Sequence, residues 1–326
     1  MNTGGERVLV TGANGFVGKA LCELLVDHGF FIRSAVRSND SMQNNGADFT
    51  VVGDIDCNIE WAQALEDVDC VVHLAARVHV MNETASNPLE AFRLVNTAGT
   101  EKLARDAAKA GVKRLVYLST IKVNGEETYD VPFNESAGLP PTDPYGLSKW
   151  EAEVSLQQIS AETGLEVVII RPPLVYGPGV KGNFLTLLKL VSKGVPLPLA
   201  LVNNKRSLVS LGNLTDLIRV CIVSPHAAGE IFLASDGRDL STTDLIELIA
   251  SGMGKRSRLV PVPLSLLYFG ALVTGRRSVA KRLLGSLQVD ASHVNKVLNW
   301  TPPYGVEVEM NKVVDWYLEQ GSRKSL

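Results

Sequence analysis

The chain has few aromatic residues, 6% of its 326 positions, and only four cysteines, Cys22, Cys57, Cys70 and Cys221. The cysteines form no C-x-x-C pair and no cluster with histidine. That pattern excludes a disulfide framework and a zinc site of ordinary spacing, so no metal is expected. Scattered thiols fit a reducing compartment, and a cytoplasmic location is expected. Charge is close to balanced: the formal net charge is −3, and no basic tract with interleaved aromatics is present. Nucleic acid is therefore not an expected partner. The start of the chain, Met1–Arg7, is short and polar and has no targeting character. There is no internal repeat and no low-complexity segment. No run reaches the roughly 20 apolar residues of a membrane span. The nearest, Leu259–Gly275, lies between Arg258 and the pair Arg276 and Arg277, and Pro261 and Pro263 break its first half. It is expected to be a strand-like loop followed by a buried helix, without membrane insertion.

A hydrophobic share of 45% and a charged share of 21% are those of an ordinary soluble protein, long enough for one large or two modest domains. The first pattern to appear is a short apolar strand, Arg7–Thr11, then T-G-A-N-G-F-V-G, then an amphipathic helix, Lys19–Asp27, ending at Gly29. Gly12, Gly15 and Gly18 have the spacing of a dinucleotide loop. Such a loop needs a tight turn, a backbone bare enough to touch a pyrophosphate, and a helix packed closely on its strand. Strand and helix in the right order are the context that makes the triplet informative.

Further strand patterns follow at Phe31–Val36, Phe49–Val52, Cys70–Leu74 and Lys113–Ser119, with a long helix from Pro88 to about Ala110. The polar strand tips are Arg37, Asp54 and Ser119-Thr120, and Ala75-Ala76 is bare enough for a cofactor to approach. Asn96, Gly99 and Thr100 interrupt the long helix with residues of poor propensity, which implies a packing or binding reason. At the second tip an acid would read an NAD ribose and a basic group a 2′-phosphate. Arg37 points to NADP(H); NAD(H) stays open because Asp40 could serve the ribose. Five strand–helix units specify the fold class, α/β, a Rossmann-type doubly wound parallel sheet whose ligands lie beyond the carboxyl ends of the strands.

A helix over Tyr145–Thr163 and a strand over Glu166–Ile170 complete this part. Beyond Tyr176 the elements shorten and prolines become frequent. Residues 1–176 are read as the dinucleotide-binding domain and 177–326 as a smaller C-terminal substrate lobe, with 206–224 returning to the larger one. Helices are expected at Phe184–Ser192, Asn213–Val223, Thr242–Met253 and Val306–Gln320, and strands near Arg206–Ser210 and Ile231–Ala234.

Tyr145 and Lys149 stand four apart in P-Y-G-L-S-K-W, so a helix stacks them on one face. A cation beside a phenol favours phenolate and makes its proton exchangeable nearer neutral pH. Such a tyrosine can trade a proton with an alcohol or a carbonyl oxygen.

With these motifs together, the chain resembles the extended short-chain dehydrogenase/reductase family, the nucleotide-sugar epimerases, dehydratases and reductases. The resemblance runs through T-G-A-N-G-F-V-G, G-D-I at Gly53–Ile55, H-L-A-A at His73–Ala76 and N-x-x-G-T at Asn96–Thr100. It continues through S-T-x-x-V-x-G at Ser119–Gly125, D-P-Y-G-x-S-K at Asp143–Lys149 and R-P-P-x-x-Y-G-P-G at Arg171–Gly179. It implies that Tyr145 is the general acid/base, that Lys149 holds the nicotinamide ribose and lowers the tyrosine pKa, and that Thr120 bonds the same sugar oxygen. The implied cofactor contacts are Gly12, Gly15, Phe16, Val17, Gly18, Arg37, Asp54, Ile55, Leu74, Ala75, Ala76, Asn96, Ser119, Tyr145, Lys149 and Pro172. A UDP-sugar would meet Thr120, Tyr145, Asn183, Arg206 and Arg282. A homodimer through the helices Pro88–Ala110 and Tyr145–Thr163 is also implied.

Departures from the family pattern narrow the reaction. Nucleotide-sugar 4,6-dehydratases resemble S-T-D-E-V-Y-G where this chain has Ile121 and Lys122. Elimination of water needs that acid and base, so a 4,6-dehydratase is rejected. Asn124 replaces the usual tyrosine, and Val78 stands where some galactose epimerases have lysine. Two reactions at C4 remain. A 4-ketoreductase would reduce a UDP-4-keto-6-deoxy-N-acetylhexosamine for surface polysaccharide, and Arg37 leans that way. A UDP-glucose or UDP-N-acetylglucosamine 4-epimerase with tightly bound NAD is the alternative. The nearest resemblance is to bacterial UDP-hexosamine 4-epimerases and to reductases forming UDP-N-acetylquinovosamine. A non-catalytic NADP-sensing protein is the remote alternative; such proteins characteristically lack the Tyr/Lys pair.

Overall fold

The computed structural model describes residues 5–38, 48–78, 87–136, 140–275 and 277–323; Asp40 and Arg276, both singled out above, lie outside them. The strands are β1 (Arg7–Thr11), β2 (Phe31–Val36), β3 (Asp48–Val51), β4 (Cys70–His73), β5 (Arg114–Leu118), β6 (Glu166–Arg171), β7 (Leu174–Tyr176), β8 (Leu208–Ser210) and β9 (Ile231–Leu233). Seven of them form one sheet in the order β3-β2-β1-β4-β5-β6-β9, with every neighbouring pair parallel. β7 and β8 form a separate two-stranded parallel sheet. The order reverses between β1 and β4, the switch point at which such sheets bind ligands.

Continuous apolar strands suit a sheet covered on both faces, because successive side chains point to opposite sides. Val8 and Val10 pack in one core with Val72, Val116, Val168 and Ile170. Leu9, between them, packs in the other with Val71, Leu115, Val167 and Ile169. Helices α1 (Phe16–Asp27) and α6 (Leu211–Val223) close the first core through Leu21, Leu25, Leu214 and Leu217. The second core is closed by α3 (Gly99–Lys109) and α4 (Pro144–Thr163), through Leu103, Ala107, Ala152 and Leu156. Each such buried leucine contributes about 1.5–3 kcal/mol relative to exposure. A third core joins Tyr176 to α5 (Gly182–Ser192), α7 (Thr242–Gly252) and α11 (Val306–Arg323). The remaining helices are α2 (Pro88–Phe92), α8 (Leu264–Val273), α9 (Arg277–Leu284) and α10 (Ser292–Leu298).

Three expectations are corrected. The helix expected from Pro88 to Ala110 is interrupted: α2 runs into a π-helical turn, Arg93–Ala98, before α3 begins. Ile231–Leu233, expected in the smaller lobe, is the seventh strand of the main sheet and pairs with β6. The segment Leu259–Gly275 does open as a strand-like loop, with Leu259 bridged to Leu197, but none of the residues of α8 that follows is buried. Only Leu267 of α8 packs against the third core.

Candidate active site

The glycine loop links β1 to α1, and sterics account for its spacing. Gly12 has a φ of +70°, and a Cβ there would lie 2.9 Å from the backbone nitrogen of Ala75 at the end of β4. At Gly18 a Cβ would lie 2.1 Å from the Gly12 carbonyl oxygen. Gly15 is the N-cap of α1, and its N–H donates to that same carbonyl at 2.9 Å. The next N–H groups, of Phe16, Val17 and Gly18, are the first of the helix and lack intrahelical acceptors, the donor set a phosphate needs. Phe16 itself packs toward the third core, and a Cβ at Gly179 would lie 3.6 Å from its ring. This cradle, which any Cβ would fill, fits a dinucleotide pyrophosphate. Asp54 and Arg37 form an exposed ion pair at 2.8 Å. Ile55 lies against Gly99, where a Cβ would come within 2.5 Å of its Cγ2.

Helix α4 is anchored at its N-terminus. Asp143 is its N-cap, accepting from the Gly146 N–H at 2.8 Å, and Pro144 opens the first turn. Asp143 also pairs with the Lys122 ammonium at 3.1 Å. Gly146 lies so close to the turn after β5 that a Cβ would be 3.0 Å from the Lys122 carbonyl oxygen and 3.2 Å from Pro141. The glycine between the tyrosine and the lysine thus lets α4 approach the Ile121–Val123 turn, and Thr120 is the N-cap of that turn. On the other side the π-helical turn grips α4. Asn96 donates to Ser148 Oγ at 3.0 Å, and Thr97 donates to the Ser148 carbonyl at 2.9 Å.

The Lys149 ammonium donates to the Leu118 carbonyl at 2.8 Å and lies 4.0 Å above the Tyr117 ring. Burial pulls its pKa down to about 7, partly opposed by Glu153. Tyr145 packs edge-on against Phe92, with ring centroids 5.8 Å apart. Burial, and secondarily the Asp143 carboxylate, push its phenol up to about 12. The lowered tyrosine pKa expected from the i,i+4 pairing is therefore corrected. The ammonium is held by Leu118 and Tyr117, and the dominant influence on the phenol is desolvation.

Several expected contacts prove to be bound within the protein. Ser119 donates to Glu153, which also holds Arg171 through a pair buried on both sides, 2.6 Å at its shortest. Asn96 spends its amide on the Arg77 carbonyl (3.0 Å), Ser148 and the Arg77 N–H (2.8 Å), fastening the end of β4 to α4. Pro172 is buried, and its carbonyl accepts from Ile121 N–H at 3.0 Å. Leu74, Ala75 and Ala76 remain partly accessible at the tip of β4. Asn124, the departure from the family pattern, accepts from Arg171 at 3.1 Å and donates to the Asn134 carbonyl at 2.7 Å. Ile121 packs with Leu233 and Leu287, and Lys122 is paired to Asp143 and Glu126, so neither presents an acid or base. Val78 is exposed. Among the substrate candidates, Asn183 is exposed on the first turn of α5. Arg206 donates to the Gly285 carbonyl at 3.0 Å, just beyond α9, the helix that carries exposed Arg282. Burial lowers the Arg206 pKa.

Sequence reasoning missed one buried group beside the glycine loop. His73 bonds Thr11 through Nδ1 at 2.7 Å and Thr100 through Nε2 at 3.0 Å, tying β1, β4 and α3 together. Burial and the Lys149 charge lower its pKa to about 3, so it is neutral. Thr100 signalled this partner as a polar residue within a helix.

A parallel sheet with a glycine cradle at its switch point, and a tyrosine and a lysine on the helix beside the next tip, define a Rossmann-type oxidoreductase. The family model described as NAD dependent epimerase/dehydratase matches residues 8–232, and the chain belongs to that family. It is 43% identical over 321 residues to a UDP-glucose 4-epimerase of Vibrio cholerae, covering 98% of this chain and 97% of that one. It is 27% identical over 329 residues to an N-acetyl-alpha-D-glucosaminyl-diphospho-ditrans,octacis-undecaprenol 4-epimerase of Escherichia coli O157:H7, covering 95% of each. The fold superposes on a Bacillus cereus UDP-glucuronic acid 4-epimerase in complex with NAD, with a TM-score of 0.77 at 19% identity, covering 96% of this chain and 99% of that one.

Proposed function

We propose that the protein is a nucleotide-sugar 4-epimerase that holds NAD and acts on a UDP-hexose or UDP-N-acetylhexosamine. The observation that carries this reading is the 43% identity, over nearly the whole of both chains, to a UDP-glucose 4-epimerase. The ketoreductase reading leans on Arg37 as a reader of a 2′-phosphate. With the Asp54 carboxylate 2.8 Å from that guanidinium, a phosphate dianion would meet a like charge. The pair suits the ribose hydroxyls of NAD.

NAD, when bound, would supply reversible hydride acceptance at C4. Tyr145 would take the C4 hydroxyl proton and give it back, with Thr120 bonding the same oxygen. Lys149 would supply a cation beside them, and Gly12, Gly15, Phe16, Val17 and Gly18 would hold the pyrophosphate. The third core, with Asn183, Arg206 and Arg282 on or beside it, is the substrate lobe in this reading; the arginines suit a diphosphate. A sugar diphosphate carried on polyprenol is a second reading, favoured by the activity of the Escherichia coli relative.

The test supplies purified protein with UDP-glucose, UDP-N-acetylglucosamine or the polyprenyl-diphosphate sugar, without added cofactor. Formation of the galacto isomer, with NAD released on denaturation, is expected. Tyr145→Phe should lower turnover about 10²–10⁴-fold while NAD stays bound. Absence of isomer, with NADPH consumed only on a 4-keto-6-deoxy sugar, establishes the reductase instead.

A further inference from the structure

Helix α8 places an uncharged, apolar sequence, L-S-L-L-Y-F-G-A-L-V, where none of its ten residues is buried. Its neighbour is α9, and its inner stripe is Leu267 and Ala271, spaced four apart and only partly covered. The outer stripe is Leu266, Phe269 and Val273, which are 59%, 64% and 69% exposed. Their spacing of three and four sets them on one face of the helix. Water-facing surfaces rarely carry a contiguous apolar ridge of this kind without a partner.

The charge around the ridge identifies the partner. From Leu248 onward to Val289 no acidic residue occurs, whereas Lys255, Arg256 and Arg258 precede α8 and Arg277 follows it. All four of those cations are exposed. Lys281 of α9 instead turns to Glu126 and Glu127, at 3.8 and 3.7 Å. A two-fold contact between copies through α8 would set these exposed cations against their own copies. Spanning a bilayer is excluded for α8, because ten residues rise only about 15 Å against a hydrocarbon core of about 30 Å. An anionic lipid surface satisfies both the ridge and the cations.

We propose that α8 docks the protein on the surface of an anionic bilayer. Leu266, Phe269 and Val273 enter the interfacial layer, and Arg256, Arg258 and Arg277 lie over lipid phosphates. Helix α9 leads from this face to Gly285, which holds Arg206, so the docked surface is continuous with the region proposed above for the substrate diphosphate. That last point rests on the functional reading; the docking itself does not.

The test sediments the full-length protein with vesicles of phosphatidylcholine alone and of equal parts phosphatidylcholine and phosphatidylglycerol. Binding is expected to the anionic vesicles, weakening as salt rises. The double variant Leu266→Ser/Phe269→Ser should lower partitioning about tenfold or more, and Arg256→Glu/Arg277→Glu by a similar factor. Both should leave thermal stability and turnover of a soluble UDP-sugar unchanged, which separates this outcome from failure of the functional reading. Absence of binding to anionic vesicles overturns the proposal, as does binding that neither variant weakens. Self-association without lipid that Leu266→Ser/Phe269→Ser abolishes, with no vesicle binding, would make the face an interface between copies and also overturn it.

Discussion

Two buried bases, His73 and Lys149, have their pKa values lowered by burial, and both therefore make stability rise with pH, in different windows. His73 falls from 6.5 to about 3, so the unfolded chain takes up the proton first on acidification. Its contribution to stability is complete above about pH 6.5 and is lost as pH falls toward 3. Urea unfolding should show a loss of about 2 kcal/mol from this group between about pH 7 and about pH 5. His73→Gln should flatten that slope; a slope that survives the change would assign acid sensitivity elsewhere. Lys149 falls from 10.5 to about 7, so its burial penalty is complete below about pH 7 and is relieved as pH rises toward 10.5. The Tyr145–Lys149 spacing was legible because i and i+4 positions meet on any helix. Which partners the ammonium takes was not, because Leu118 and Tyr117 come from β5, distant in sequence.

At the scale of elements, α4 is the part on which the candidate site depends, and its position is set by contacts at both sides. Gly146 permits the approach to the Lys122 turn, and Asn96 and Thr97 hold Ser148. Alanine is a better helix former than glycine by about 1 kcal/mol, which offsets part of the crowding that a Cβ would bring at 146. Gly146→Ala is therefore expected to leave the thermal midpoint nearly unchanged while kcat falls about tenfold or more, since small displacements of reacting groups are costly. Unchanged kcat would show that α4 tolerates the shift. The π-helical turn was half legible. Asn96, Gly99 and Thr100 marked a helix under constraint, but the choice of a wider turn is made by Arg77, Ser148 and Ile55, all distant in sequence.

For the whole molecule, assembly is the property open to direct measurement. The face formed by α2, α3 and α4 exposes Leu94 (48%) and Val154 (45%) beside the Arg93–Glu151 and Arg105–Glu162 pairs. A homodimer through this face is expected in sedimentation velocity, and Val154→Glu should convert it to monomer because a buried unpaired carboxylate is costly. A dimer unaffected by that change would place the interface elsewhere.

The order of strands and helices, the glycine loop and the tyrosine–lysine pair were determined by the sequence itself, since each depends on neighbours within one or two turns. The tertiary structure alone decided that Ile231–Leu233 completes the sheet, that Arg37 faces Asp54, that Ser119 belongs to the Glu153–Arg171 pair, and that α8 stands uncovered. These outcomes depend on which surfaces remain after the rest of the chain has packed. Hydrophobicity alone cannot distinguish an apolar helix that finds a core from one that does not.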